Sequence, residues 1–355
     1  MKSTITFFTT ACALFFTAIA GANPVIYKAD KANATGKHII LIASDHEYRG
    51  EETLPALARI LTKHHGFDCT VLFGLDENGE IKAGESNIPG LEALETADLM
   101  IMFTRFQALP DDQMKHIDAY LNRGGPVMGL RTSTHGFKYG GKESAYSKYD
   151  FQSKDADYQK GFGHQVLGQT WVGHYGKNHQ QSTRITIVPE AAKHPILTGV
   201  SEVHVQAGGY NAEPADDWNI LTMAQPLMSM EADGEPDATK PPMASEWTRE
   251  YTGKNGTKGR VFTSLYGASE DLINPGYRRM LVNASYWLLG MEDQIKADST
   301  IDFVGKYQPN TFRGGGYARG VKPLLYNGFE SPIPANNETG PAKKPKKKPA
   351  KAKAE

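Results

Sequence analysis

Five side chains able to move, hold or stabilise a proton stand just beyond short apolar runs of this 355-residue chain. His46 follows the run 37–44, Arg105 follows 99–104, Arg131 and His135 follow 127–130, and Glu270 follows 260–266. Imidazole titrates near neutrality and also ligates metals, so His46 and His135 are candidates for general acid–base work, and Glu270 is the carboxylate that could orient one of them. Arg105 and Arg131 could clamp a carbonyl or carboxylate oxygen in two-pronged fashion, with Thr132 beside them. His174 and His179 are further imidazoles, and Trp171, Tyr175, Tyr210 and Trp247 offer flat faces for a ring to stack on. Loop caps and ion pairs are the ordinary fate of such residues, with Glu47 and Glu270 as the arginines' partners. Their coincidence at four strand ends argues instead for a cleft, because open α/β sheets bind ligands beyond the carboxyl ends of their strands.

The elements needed to place them are legible as alternating strands and helices. Strands are predicted at 37–44, 67–73, 99–104 and 127–130, with helices at 52–65, 91–97 and 111–122 between them. Gly66 stops the first helix, Pro110 opens the third, and Gly124-Gly125 close it. This rhythm predicts a doubly wound, mostly parallel sheet with right-handed crossovers. Residues 138–160 are polar and Tyr-rich with no clean period and read as a long loop or lid. Further strands are expected at 183–188 and 218–223, a closing pair at 243–249 and 260–266 around a Gly-Lys-Asn-Gly turn, and a last helix at 277–289. No internal repeat is present, and one domain is expected over 37–291. Residues 23–36 read as a linker and 292–340 as a Gly- and Pro-rich extension wrapping the surface.

Residues 1–22 read as a cleaved secretory signal peptide: Lys2, an apolar run from Ile5 to Ala20, and small residues at the cleavage point. A secreted or periplasmic protein follows. Of the two cysteines only Cys69 then remains, so no internal disulfide is expected, and its apolar strand makes it a small hydrophobe. The formal net charge of −1 hides an asymmetry. Residues 341–355 hold seven Lys and one Glu; with Lys2 also set aside, the body has 31 basic against 39 acidic residues. An acidic body argues against a nucleic-acid partner. The Lys/Pro-rich tail cannot bury apolar area and is expected to be disordered, making at most a weak contact with an anionic envelope surface.

Ser44-Asp45-His46, Gly129 through His135-Gly136-Phe137, Gly173-His174, His194-Pro195, Tyr210, Trp247-Thr248-Arg249, Gly259-Arg260-Val261-Phe262 and Tyr286-Trp287-Leu288-Leu289-Gly290 occur in this order. In them the chain resembles the trehalose-utilisation (ThuA-like) family. The resemblance implies a flavodoxin-related, class I glutamine amidotransferase-like fold and a small-molecule sugar substrate, particularly a keto-sugar derivative of a disaccharide. True amidotransferases of this fold carry a nucleophilic Cys at a strand-to-helix elbow. Here the elbow after 127–130 offers Arg131, Thr132 and Ser133, so thiolate chemistry on glutamine is excluded. Ala268 stands where the family commonly has His, and Gly208-Gly209 where acidic residues precede the Tyr. The chemistry then expected is isomerisation, elimination or hydrolysis next to a keto group, with His46 or His135 moving the proton and Arg105 and Arg131 stabilising an enolate oxygen. His174, Tyr210 and Trp247 would complete the sugar site. A non-catalytic sugar-binding module is the rival reading. A metal-dependent hydrolase using His46, His135, His174 and Glu47 is another, but no pair has tight ligand spacing, so no cofactor is expected.

Overall fold

The computed structural model describes residues 24–254 and 256–336. The expected signal peptide and Lys-rich tail lie outside these residues. Among the described residues no helix is long and apolar enough to cross a membrane.

One ten-stranded sheet organises the chain: β1 (Val25–Tyr27), β2 (His38–Ser44), β3 (Asp68–Phe73), β4 (Leu99–Thr104), β5 (Val127–Leu130), β6 (Thr183–Ile187), β7 (Val203–Val205), β8 (Asn219–Pro226), β9 (Met243–Thr252) and β10 (Lys258–Ser264), in spatial order β1-β3-β2-β4-β5-β10-β9-β8-β6-β7. The central β3-β2-β4-β5-β10 block is parallel throughout. Numbered by appearance within that block, its order is 2-1-3-4-5, the flavodoxin-like arrangement. The other half, β9-β8-β6-β7, is antiparallel, so the sheet is mixed and its parallel part carries the strand ends singled out above.

Alternation along β2 shows how the two faces are filled. Ile39, Leu41 and Ala43 enter one core layer with the helices α1 (Gly50–His65) and α3 (Pro275–Leu288), while Ile40 and Ile42 enter the opposite layer with α2 (Asp111–Asn122). α1 has Glu51 and Glu52 in its first turn and Lys63, His64 and His65 in its last, matching the helix dipole, and ends on Gly66 at φ 72°. Asn274 caps α3 by accepting the Tyr277 N–H at 2.9 Å, and Pro275 opens it.

α1 is buried on nearly every side because the chain beyond residue 292 crosses its outer face. Arg59, 0% exposed, donates to the carbonyls of Ser331 at 2.6 Å and Tyr326 at 3.1 Å and to the Tyr27 hydroxyl at 3.1 Å. The segment read as a linker thus contains β1, which pairs antiparallel with β3, and Tyr27 also donates to Tyr326. β7 has no counterpart in the sequence reading because three residues show no periodicity. The expected helix at 91–97 is a 3-10 turn, Leu91–Glu95.

Cys69 is fully buried in β3, where burial pushes its thiol up to about 12. Native protein should therefore resist a disulfide reagent such as DTNB at pH near 8 and react only once unfolded. Rapid stoichiometric labelling of the native state would contradict this packing.

Candidate functional site

In the 2-1-3-4-5 order the chain leaves β2 toward β3 on one side and returns to β4 on the other. The loops after β2 and β4 therefore diverge, and the crevice between them is the topological switch point. His46 comes from the first loop and Arg105 from the second, and they meet there.

Arg105 holds the cluster together. Its Nη1 lies 2.8 Å from the Glu47 carboxylate and donates to His46 Nε2 at 3.0 Å, and its Nε donates to His135 Nε2 at 3.4 Å. Both imidazoles thus present a lone pair to one cation, which requires them neutral with the proton on Nδ1. His46 is held below the ordinary imidazole range first by burial and then by Arg105, against the opposing pull of Asp45. His135 lies well below that range, again from burial first and then from Arg105 and Arg131.

The β2 loop is shaped by Asp45, which is wholly buried. It accepts from the backbone N–H of Glu47 at 3.1 Å and of Tyr48, and from the Thr132 hydroxyl at 3.1 Å. Thr132, one of the expected substrate contacts, is thereby spent on holding this loop and is itself 0% exposed. Gly84 leaves room for the His46 ring. A Cβ there would come within 2.6 Å of His46 Nδ1, and its φ of +82° also disfavours a side chain.

Aromatic rings enclose His135: Phe106 at 5.0 Å between centroids, Trp171 at 5.3 Å, Tyr210 at 5.8 Å and Phe151 at 6.2 Å. Phe151 closes the 138–160 loop onto the site. His174 is exposed and packs edge-on against Tyr210 at 5.3 Å. His135 is only 1% exposed, whereas the side chains of Arg105 and Glu47 are 18% and 17% exposed and His46 is half-buried. The groups open to an incoming molecule are thus His46, Glu47 and Arg105, with His135 behind them.

Arg131 occupies the elbow after β5 at φ 41°, the place where the amidotransferases keep their nucleophile. It points into the protein rather than toward a ligand. Its Nη1 donates to Leu265 O at 2.9 Å and its Nη2 to Gly208 O at 2.8 Å, and its guanidinium lies 3.8 Å and 4.5 Å from the ring centroids of Tyr48 and Tyr210. The expectation that Arg131 clamps substrate gives way to a structural bridge between the ends of β10 and β7.

Glu270 and Trp247 also stand apart from the imidazoles. The Glu270 carboxylate accepts from Thr311 at 3.2 Å. The neighbouring Asp271, fully buried, is the carboxylate built into the site's frame. It accepts the backbone N–H groups of Gln206 at 2.8 Å, Ala207 at 3.0 Å, Gly267 at 3.1 Å and Ala268 at 2.9 Å. Trp247 is 0% exposed, stacked on Trp218 at 3.8 Å with its indole N–H on Leu167 O, so its ring belongs to the core. The Gly208-Gly209 departure has a steric cause: a Cβ on Gly208 would sit 2.6 Å from the Gly176 backbone, where Tyr175 N–H reaches Gly209 O at 2.7 Å.

Among the described residues no three His, Cys, Asp or Glu side chains form a metal-ligand set. Arg105 lies between the imidazoles and Glu47, the position that a shared cation would take. Five non-glycine residues among those described have left-handed backbone, and four of them, Arg49 (φ 66°), Phe106 (53°), Arg131 (41°) and His179 (63°), surround this cluster. Such conformations cost about 1–3 kcal/mol each and concentrate where function fixes the backbone.

This is an α/β protein with a histidine–arginine cluster at a flavodoxin-type switch point. The family model described as trehalose utilisation, ThuA, matches residues 40–288, and the chain belongs to that family. No curated protein matches it. Among solved structures, a ThuA-like protein from Parabacteroides merdae ATCC 43184 is similar over 78% of this chain and 97% of its own, at 14% identity and a TM-score of 0.44. The exo-β-1,4-mannosidase Op5Man5 from Opitutaceae bacterium strain TAV5 is similar over 71% of this chain and 35% of its own, at 12% identity and 0.32.

Proposed function

We propose that this protein performs acid–base chemistry on a keto-sugar or keto-glycoside outside the cytoplasm, without a nucleophilic cysteine. The observation that carries the reading is the Arg105 guanidinium shared between His46, Glu47 and His135 at the switch point. A substrate carbonyl oxygen accepting from Arg105 would displace its bond to His46 and free the Nε2 lone pair. That lone pair takes the proton from the carbon beside the carbonyl, and the C–H electron pair moves onto the oxygen as an enolate facing Arg105. Passage of the α-hydroxyl proton to the enolate oxygen, with return of the imidazolium proton to the former carbonyl carbon, gives isomerisation; collapse of the enolate back to a carbonyl with breakage of a β C–O bond, whose departing glycosidic oxygen takes the imidazolium proton, gives elimination. His135 positions Arg105 from behind, and Trp171 and His174 flank the sugar, with Tyr210, 3% exposed, packed beneath them.

The test is incubation of the chain from Asn23 onward with 3-keto-glucosides and their parent glycosides, with product analysis and calorimetric titration of the same compounds. Turnover confined to the keto forms is expected. Stoichiometric binding without turnover would make the protein a sugar-binding module, and neither binding nor turnover would remove the carbohydrate reading. Residues 1–22 are removed on export in this proposal, which the N-terminal sequence of the secreted protein checks, and the Lys-rich tail makes a weak, salt-sensitive contact with an anionic envelope surface.

A pH dependence follows from the depressed imidazoles. His46 works as a base when neutral, and its pKa lies below 6.5. Lowering the pH through 6.5 should therefore leave kcat/KM level, with the acid limb appearing only beneath the ordinary imidazole range. The same groups take up protons more readily in the unfolded chain, so their stabilisation is complete above 6.5 and is lost as the pH falls below it. His65, lowered to about 4 by burial, adds to this loss. Melting temperature should drop as the pH falls from about 6.5 toward about 4; an acid limb above 6.5 would contradict the assignment of His46.

A further inference from the structure

A cavity of about 500 Å3 lies next to the cluster, lined by Arg49, His179, Asn310, Thr311, Phe312 and Arg313. Three of these six residues are cations or can become so, and none is acidic. The cavity adjoins the candidate site through a shared wall. Phe312 packs on Tyr48 at 5.1 Å, and Arg131 lies 3.8 Å from the same Tyr48 ring. The outer rim, residues 310–316, is tied to the His46 loop by the Gly315 N–H on His46 O at 2.6 Å.

Arg49 is the unusual member. It is 0% exposed with its backbone at φ 66°, and its Nε and Nη1 have no hydrogen-bond partner. Its nearest charges, Glu51 and Glu52, stand off at 3.7 Å and 3.8 Å. Neither accepts a hydrogen bond from its Nε or Nη1, and its Nη2 reaches Thr311 O at 3.5 Å. Both Glu52 oxygens are taken by Asn310, at 2.8 Å from its N–H and 2.9 Å from its amide, and burial followed by Glu52 pushes the Glu51 carboxyl well above the usual carboxylate range toward its neutral form. The Glu51 oxygens are likewise without a hydrogen-bond partner, so donors and acceptors stand apart here, and an oxyanion in the adjoining cavity would give the guanidinium acceptors at hydrogen-bond distance. His179, exposed and stacked on Phe312 at 4.6 Å, and Arg313 stand at the rim to add attraction.

We propose that this cavity is a second subsite that takes the carboxylate or phosphate group of an anionic sugar derivative whose ring occupies the neighbouring switch-point site. The sugar half of that statement rests on the functional reading above, whereas the oxyanion half stands on the cavity alone, and the experiment separates them. Inorganic phosphate, glucuronate, glucose 6-phosphate and glucose are titrated into wild-type protein and into His179→Gln/Arg313→Gln, whose altered side chains lie outside the core. Arg49→Lys is added with its melting curve, since that site is buried.

Phosphate is expected to bind saturably, and the charged sugars to bind at least about tenfold more tightly than glucose, equivalent to roughly 1.4 kcal/mol. The double variant should lose most of that advantage, and rising salt should weaken it. His46→Ala should leave phosphate binding intact. If phosphate binds but the charged sugars gain nothing over phosphate, the oxyanion site stands and its link to the sugar falls. A preference for glucuronate over glucose 6-phosphate assigns a carboxylate, and the reverse a phosphate. Binding of the anions that is absent, or unchanged in the double variant and in folded Arg49→Lys, overturns the proposal.

Discussion

Replacing His46 by Ala is expected to lower kcat/KM on a 3-keto-glucoside by roughly a hundredfold to ten-thousandfold while substrate affinity changes by less than about tenfold. The split follows from the geometry. His46 is the imidazole that reaches solvent at the switch point, and it contacts the cation that would meet the carbonyl. Removing its ring removes the proton acceptor and leaves Arg105 and the aromatic faces to bind. His135 provides the control, because it is almost wholly buried and acts through Arg105 Nε. His135→Asn keeps a polar acceptor near that nitrogen and should retain much of the activity, whereas His135→Leu should not. Turnover of His46→Ala within about threefold of wild type would sink the assignment of His46, and equal losses in the two His135 variants would deny His135 a positioning role.

The parallel half of the fold was legible because each of its strands is an apolar run bounded by strong punctuation. The 99–104 and 127–130 strands and the 111–122 helix coincide with the observed β4, β5 and α2. Legibility failed where an element owes its existence to distant partners. β1 is three residues long and forms because β3 offers an edge, and the extension beyond 292 earns its place by satisfying Arg59 and Tyr27. The site divides in the same way. That His46, Arg105 and His135 converge follows from strand ends alone, since register places them together. Which way a side chain faces does not follow: Arg105 and Arg131 look equivalent in the sequence, as do Glu270 and Asp271. Asp271 rather than Glu270 turns inward because four backbone N–H groups at the ends of β7 and β10 converge there, a pattern visible only once those ends are adjacent. Phe312 and Asn310 gave no signal, as a Gly- and Pro-rich extension carries no periodicity from which to infer docking.

Arg131→Lys is expected to destabilise the fold by roughly 2–5 kcal/mol, whereas Arg105→Lys should cost clearly less stability and impair turnover instead. Arg131 is 0% exposed and uses the two ends of its fork to bridge Leu265 O and Gly208 O, at 2.9 Å and 2.8 Å, between the Tyr48 and Tyr210 rings. Lysine presents a single point charge, which cannot span both carbonyls. One buried acceptor is left without a partner at about 1–3 kcal/mol, and the flat guanidinium contact with the rings is lost at about 1–2 kcal/mol more. For a domain of this size the sum corresponds to a melting temperature lower by about 10 °C. Arg105, by contrast, keeps 18% of its side chain in solvent, and of its partners Glu47 and the half-buried His46 can be reached by water, so a lysine there leaves only the buried His135 Nε2, held at 3.4 Å, short of a donor. It would nevertheless lose the simultaneous grip on His46 and His135 through separate nitrogens. Thermal melts and steady-state kinetics on the two variants decide the matter. A wild-type melt for Arg131→Lys together with a collapse of turnover would return Arg131 to the substrate, and the bridge between β7 and β10 would have to be held by something else.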